Sequence, residues 1–236
     1  MQQSDRFQEI ESNVLSKSNI SPSRTLKRWL CTLLTGGLLL LAIFVELERK
    51  EHHTHEQLPF GYIPDLAMSG GDPYVRALMR TISASESNVK NPYILLYGGK
   101  HTHDLEQHPD LCMPITVGIN HGNCSTAASR YQFITSTWLE KASIYHPSPS
   151  HTEALTEYSF APEHQDEVTY RWLKYDSAWS VSISILLRQG EINEVLRLLS
   201  GTWTSLGFGI ETNSMSPYLT EVYQKVLAEE LERSQH

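Results

Sequence analysis

The chain has 236 residues, long enough for one domain with a substantial core plus appendages. Apolar residues make up 40% of it, which excludes a disordered chain. A formal net charge of −8 removes the electrostatic case for nucleic acid, whose binding needs clustered Lys and Arg.

Residues 1–28 are polar and end in a basic cluster of Arg24, Lys27 and Arg28, followed by Trp29. Leu30 to Val45 then carries no charge at all. As a helix this run rises about 24 Å, against about 30 Å of hydrocarbon in a bilayer, and Trp29 suits one interface. Residues 29–47 therefore read as a transmembrane anchor. The competing reading is a cleaved signal peptide, but the polar stretch before the run is long. The run also leaves through Glu46-Leu47-Glu48 without a small-x-small cleavage site. Basic residues before a span stay in the cytoplasm. The expectation is a single-pass inner-membrane protein with a cytoplasmic N-terminus and an exported C-terminal domain. Residues 48–71, charged, His-rich and punctuated by Pro59, Pro64, Gly70 and Gly71, read as a linker. His52, His53 and His55 have no second ligand set beside them and are not read as a metal site.

From residue 72 to 236 the pattern is that of a folded domain. Asp72-Pro73 is an N-cap followed by a first-turn proline. Val75, Leu78, Met79 and Ile82 follow at helical spacing, and Glu86 returns to nearly the azimuth of Val75. Ser87-Asn88 and Asn91-Pro92 end the helix. Glu86 is thus expected on the inner face at a helix C-terminus. There the macrodipole and partial burial both disfavour its charge, which suits a general acid. The alternative is a surface glutamate at a frayed end. Cys112 and Cys124 bracket a loop-like stretch: a disulfide if this part is exported, two separate thiols in a reducing compartment. Cys31 lies within the apolar run.

Four blocks then carry a resemblance. Tyr93-Ile-Leu-Leu-Tyr-Gly-Gly leads through Asp104 to His108-Pro109. Ser125-Thr-Ala-Ala-Ser-Arg-Tyr-Gln132 follows, then Phe160-Ala-Pro-Glu-His-Gln-Asp166, then Trp203-Thr-Ser-Leu-Gly207. In this order and spacing they resemble the phage lambda endolysin family over roughly residues 75–225. The resemblance implies an α+β, mostly helical lysozyme-like domain with a small β-hairpin region. It implies cleavage of the MurNAc–GlcNAc β-1,4 bond of peptidoglycan glycan strands by lytic transglycosylation, without a cofactor. The family's acid maps onto Glu86. Asp104 stands where the family motif also carries Asp, either to stabilise positive charge or to cap a turn. Arg130, Tyr131 and Gln132 match an Arg-Tyr-Gln turn bordering the glycan groove. The family's Gly-Ala-Gly turn is Ala127-Ala-Ser129 here, which has less backbone freedom. The loop 111–124 is longer than its phage counterpart, and residues 143–158 look inserted.

Arg130-Tyr-Gln132 is expected to open a helix whose Tyr131, Ile134, Trp138, Ala142 and Tyr145 share a core face. Further helices are expected from Pro162 to about Lys174, from Ala178 to Arg188, from Ile192 to Leu199, and from Ser216-Pro217 onward. There is no internal repeat, phosphate loop or Cys–His metal signature. Two other functions compete: a hydrolytic muramidase, and an inactive wall-binding scaffold.

Overall fold

The structure, a computed structural model, describes residues 61–235 apart from 119, 152–155 and 210–212. Helix α1 (Pro73–Glu86) begins as expected: the Asp72 carboxylate accepts the Tyr74 N–H at 3.1 Å, and Pro73 fills the first turn. Val75, Leu78, Met79 and Ile82 are buried, but so are Ala77, Arg80, Thr81, Ser83, Ala84 and Ser85. The helix is enclosed on nearly every side. Its polar residues survive there through local partners. Arg80 pairs with Glu229 at 2.6 Å and Glu230 at 3.0 Å, and the Thr81 hydroxyl donates to the Ala77 carbonyl at 2.8 Å. An unpaired charge in that position would cost several kcal/mol. The main packing partner of α1 is the C-terminal helix, whose Leu219, Val222, Tyr223 and Val226 are buried.

The segment just before α1 departs from the linker expectation. Ile63, Leu66 and Met68 are buried in the core. Their spacing fits neither a helix nor a strand, so no periodicity announces them. Buried side chains hold this strap by its backbone. Arg80 donates to the Ile63 carbonyl at 2.8 Å, and Arg130 donates to those of Pro64 and Asp65 at 2.6 Å each. Asp166 accepts the Ala67 and Met68 N–H groups at 2.6 and 3.1 Å. The folded domain therefore starts before residue 72.

After α1 the chain is irregular. The Tyr93–Gly99 block forms no continuous strand: 3-10 turns lie at Pro92–Ile94 and Tyr97–Gly99, with isolated bridges from Leu95 to His101 and from Leu96 to Ala128. Two hairpins follow. Strands β1 (Met113–Pro114) and β2 (Cys124–Ser125) pair antiparallel, and a Cys112–Cys124 disulfide closes this hairpin. Strands β3 (Ser150–His151) and β4 (Thr156–Glu157) pair within the second inserted stretch.

Helix α2 (Thr135–Tyr145) begins later than Arg130. Ser129 at φ 71° and Gln132 at φ 47° turn the backbone left-handed, so the Arg-Tyr-Gln residues sit on a turn instead. Ile134 becomes a 44% exposed N-cap rather than core, while Trp138, Ala142 and Tyr145 are buried as expected. Helix α3 (Pro162–Lys174) buries Val168 and Trp172. The helix expected over 178–188 is split into α4 (Asp176–Trp179) and α5 (Ile183–Arg188), because Ser180 adopts φ 60°. Helix α6 (Ile192–Leu199) buries Ile192, Val195, Leu196 and Leu199. A 3-10 turn at Ser216–Tyr218 leads into α7 (Leu219–Arg233). The domain is thus mostly helical with small antiparallel hairpins. Among the described residues no helix is long and apolar enough to cross a membrane. The expected span 29–47, Cys31 and the histidines at 52, 53 and 55 lie outside the described residues.

Candidate active site

A cleft of about 580 Å³ opens at the C-terminal end of α1. One wall is knitted from three pieces of chain. Tyr97 N–H donates to the Ala127 carbonyl at 2.8 Å, Ala128 N–H to Phe133 at 3.0 Å, and Ser129 N–H to Leu95 at 2.6 Å. Gly98 and Gly99, at φ 76° and 86°, let the rim turn tightly. The facing wall is Thr202 to Ser205, with Asn213 beside it.

Glu86 lines this cleft, half-buried. Helix α1 places it there by ending at that residue, with Ser87 as C-cap. The Ser205 hydroxyl donates to Glu86 Oε1 at 2.5 Å. Ser85 in turn donates toward Ser205, with its Oγ 2.8 Å from the Ser205 Oγ and 2.7 Å from the Ser205 carbonyl. Among the described residues Glu86 is the only carboxylate lining the cleft.

The other residues expected at the site divide. Gln132 lines the cleft, and its amide Nε2 donates to its own turn at the Ser129 carbonyl, 2.8 Å away. Tyr131 touches the cleft but is fully buried, and its hydroxyl points away to Asp166 Oδ1 at 2.6 Å. Arg130 does not line the cleft. It is buried behind it, holding the strap and donating to the Tyr93 hydroxyl at 3.1 Å. Asp104 is exposed and away from the cleft. Its Oδ1 accepts the Glu106 N–H at 3.2 Å, the geometry of a turn cap. Of its two expected roles, capping is the one its surroundings provide.

Behind the cleft lies a buried polar cluster. Asp166 accepts the Tyr131 and Tyr93 hydroxyls at 2.6 and 2.7 Å. Burial pushes the Asp166 carboxyl above its ordinary range, against Arg130 and the donors from Tyr131, Tyr93 and Met68, which pull it down. Burial and the Asp166 charge push both tyrosines up, so they remain hydrogen-bond donors. Ser87 joins the two sides, since its hydroxyl donates to the Arg130 carbonyl at 2.7 Å.

Sequence reading missed Ser205. It lies within the quoted Trp203-Thr-Ser-Leu-Gly207 block, but a serine in a 3-10 turn has no periodicity to mark it. Trp203 of the same block anchors the wall by donating its indole N–H to the Tyr131 carbonyl at 3.1 Å. Among the described residues no cluster of His, Cys, Asp and Glu fits a metal ion.

The protein-family model described as Endolysin matches residues 76–229. No curated protein matches the chain. Among solved structures, bacteriophage lambda lysozyme complexed with a chitohexasaccharide aligns at 20% identity and a TM-score of 0.49, covering 67% of this chain and 97% of that one. Another structure of lysozyme from bacteriophage lambda aligns at 19% identity and a TM-score of 0.47, covering 69% and 97%. With most of the domain matched, the chain belongs to the Endolysin family.

Proposed function

We propose that the protein is a membrane-anchored lytic transglycosylase with Glu86 as its single general acid and base. The observation that carries this reading is Glu86 itself, half-buried in the cleft at the end of α1 with the Ser205 hydroxyl on its Oε1. A retaining hydrolase with a covalent intermediate needs two carboxylates about 5 Å apart. Transglycosylation needs one. Glu86 protonates the leaving glycosidic oxygen of a bound glycan strand as its bond to the anomeric carbon breaks. The C6 hydroxyl of the same MurNAc attacks that carbon and returns its proton to Glu86. The product is a 1,6-anhydro end, and no water is consumed. Gln132 on the wall offers an amide to the N-acetyl groups of the strand.

In this reading residues 1–28 stay in the cytoplasm, residues 29–47 span the membrane, and the domain acts on the wall outside. The disulfide between Cys112 and Cys124 fits an oxidising compartment. Mass spectrometry of sacculi digested by the purified protein tests the chemistry. Muropeptides one water lighter than reducing ends are expected; reducing ends alone would make it a hydrolase. Membrane fractionation with external protease tests the topology: the domain should be degraded in spheroplasts, and its protection would reverse the orientation.

A further inference from the structure

The cleft around Glu86 does not end at its own rim. Ser125 and Ile134 line it and also line a second stretch, an open groove of about 600 Å³ built largely on the disulfide-closed hairpin. We infer that this groove is a further binding site for the glycan strand, one that takes the hydroxyls and N-acetyl amides of sugar units beyond those at Glu86. The inference rests on the reading of the cleft as the glycan site.

The hairpin gives the groove its shape. Strands β1 and β2 pair over two residues only, but hydrogen bonds carry on past them. Ile115 N–H donates to the Asn123 carbonyl at 2.8 Å, and Gly122 N–H to the Ile115 carbonyl at 3.1 Å. Asn123 N–H donates to the Asn120 carbonyl at 3.1 Å and closes the turn. The Cys112–Cys124 disulfide holds the base, and Cys124 itself lines the groove. On the other side the Thr126 hydroxyl oxygen accepts the Thr135 N–H at 3.1 Å, which ties the groove to the start of α2.

The chemistry of the lining selects the ligand. Asn120, Asn123, Ser125 and Thr126 supply its polar side chains. The Ser125 hydroxyl oxygen accepts the Ala127 N–H at 3.1 Å, as Thr126 does from Thr135, so both hydroxyl protons remain to be donated. The two asparagines are exposed, and their side chains make no hydrogen bond among the described residues. Amides and hydroxyls both donate and accept, which is what the hydroxyls and N-acetyl amides of an aminosugar need. Ile115 and Ile134 add apolar surface for the C–H face of a pyranose ring. Among the described residues no Lys, Arg or His lines the groove or the cleft, so the carboxylates of a stem peptide find no cation there. Continuity then favours the polymer: a strand held at Glu86 that leaves past Ser125 and Ile134 runs onto the hairpin.

The test is calorimetric titration of the full chain, held in detergent, with N-acetylglucosamine oligomers of increasing length. These probes are neutral and carry no peptide. Wild-type affinity should rise roughly tenfold from short to long members, the range of one or two neutral hydrogen bonds. Asn120→Ala/Asn123→Ala should remove most of this rise, and each single variant a part of it. Neither asparagine has a positive φ, so alanine fits both backbones and Tm should stay unchanged. A rise with length that survives in the double variant overturns the proposal. So does a wild-type affinity that does not rise with length, or binding of free stem peptide that the double variant loses. Failure of every oligomer to bind the wild type would instead remove the reading of the cleft as the glycan site, and this inference with it.

Discussion

Two polar clusters flank the turn at residues 129–133, and they are built in opposite ways. The one behind the cleft is made of large groups, the buried Asp166, Tyr131 and Arg130 with the partly buried Tyr93, and it grips the strap by its backbone. The one at the cleft is a half-buried carboxylate that accepts the Ser205 hydroxyl, which in turn is bonded to Ser85. The first spends its hydrogen-bonding capacity on the protein. The second lines the cleft. Bulky polar residues in a motif are thus as often the frame of a site as its chemistry, and a motif does not say which.

If this division holds, damage to the rear cluster should appear in stability and damage to the front cluster in rate. Asp166→Ala leaves the Tyr93 and Tyr131 hydroxyls and the Ala67 and Met68 N–H groups without their acceptor, and removes a negative charge near the buried Arg130. It should cost about 3–5 kcal/mol of stability in denaturant unfolding. The kcat of the molecules still folded should stay near wild type. A loss of rate without a loss of stability would erase the distinction.

The disulfide tests whether the cleft rim needs its own support. A hairpin of two-residue strands is marginal alone, and the Cys112–Cys124 link closes a loop of sequence separation 12. Replacing both cysteines by serine should cost about 3 kcal/mol. Glycan cleavage should weaken with it, since Ser125 of β2 borders the cleft. Unchanged Tm and activity in the serine variant would show the rim to be self-supporting.

Two histidines of the frame give a pH dependence. In both, a backbone N–H two residues on donates to Nδ1: Asp110 to His108 and Ser148 to His146, each at 3.2 Å. The ring proton therefore sits on Nε2, facing the Phe133 and Ser159 carbonyls at 2.8 and 3.1 Å. A second proton would have to sit on Nδ1, against an N–H. Burial accordingly lowers both imidazoles from the ordinary value of 6.5, with His164 and Arg171 adding to the effect at His146. With the folded value depressed, the unfolded chain binds protons first. Stability is complete above about pH 6.5 and is lost as the pH falls. Tm should drop by a few degrees between about pH 7.5 and about pH 5.5. A flat or rising Tm would contradict the assignment.

The smallest expected effect lies between the clusters. Ser129 has φ 71°, and its buried hydroxyl has no hydrogen-bond partner among the described residues. Glycine relieves both, so Ser129→Gly should gain about 1 kcal/mol. Cleavage should be unchanged. A destabilised variant would mean that the serine makes a contact the structure does not hold.

What the sequence disclosed follows the same division. Helix α1, its cap and the inward Glu86 were legible because capping residues and a 3.6-residue period are local signals. So were α3 and α6. The onset of α2 was not, because Ser129 and Gln132 adopt left-handed backbones that only the bridges to Leu95 and Phe133 sustain. The split at Ser180 has the same character. The strap was hidden because its burial depends on Arg80, Arg130 and Asp166, which come from three distant places in the chain. At the site, helical geometry pointed to Glu86, and the resemblance supplied Gln132. It also supplied Arg130 and Asp104, which belong to the frame and to a turn.

The central claim is that one carboxylate carries the chemistry while the frame behind it carries the fold. Glu86→Gln keeps the shape of the side chain and removes its acid, so it should leave Tm within a degree or so of wild type and abolish cleavage of sacculi, a loss on the order of a hundredfold or more. Cleavage at the wild-type rate by a folded Glu86→Gln protein would contradict the account.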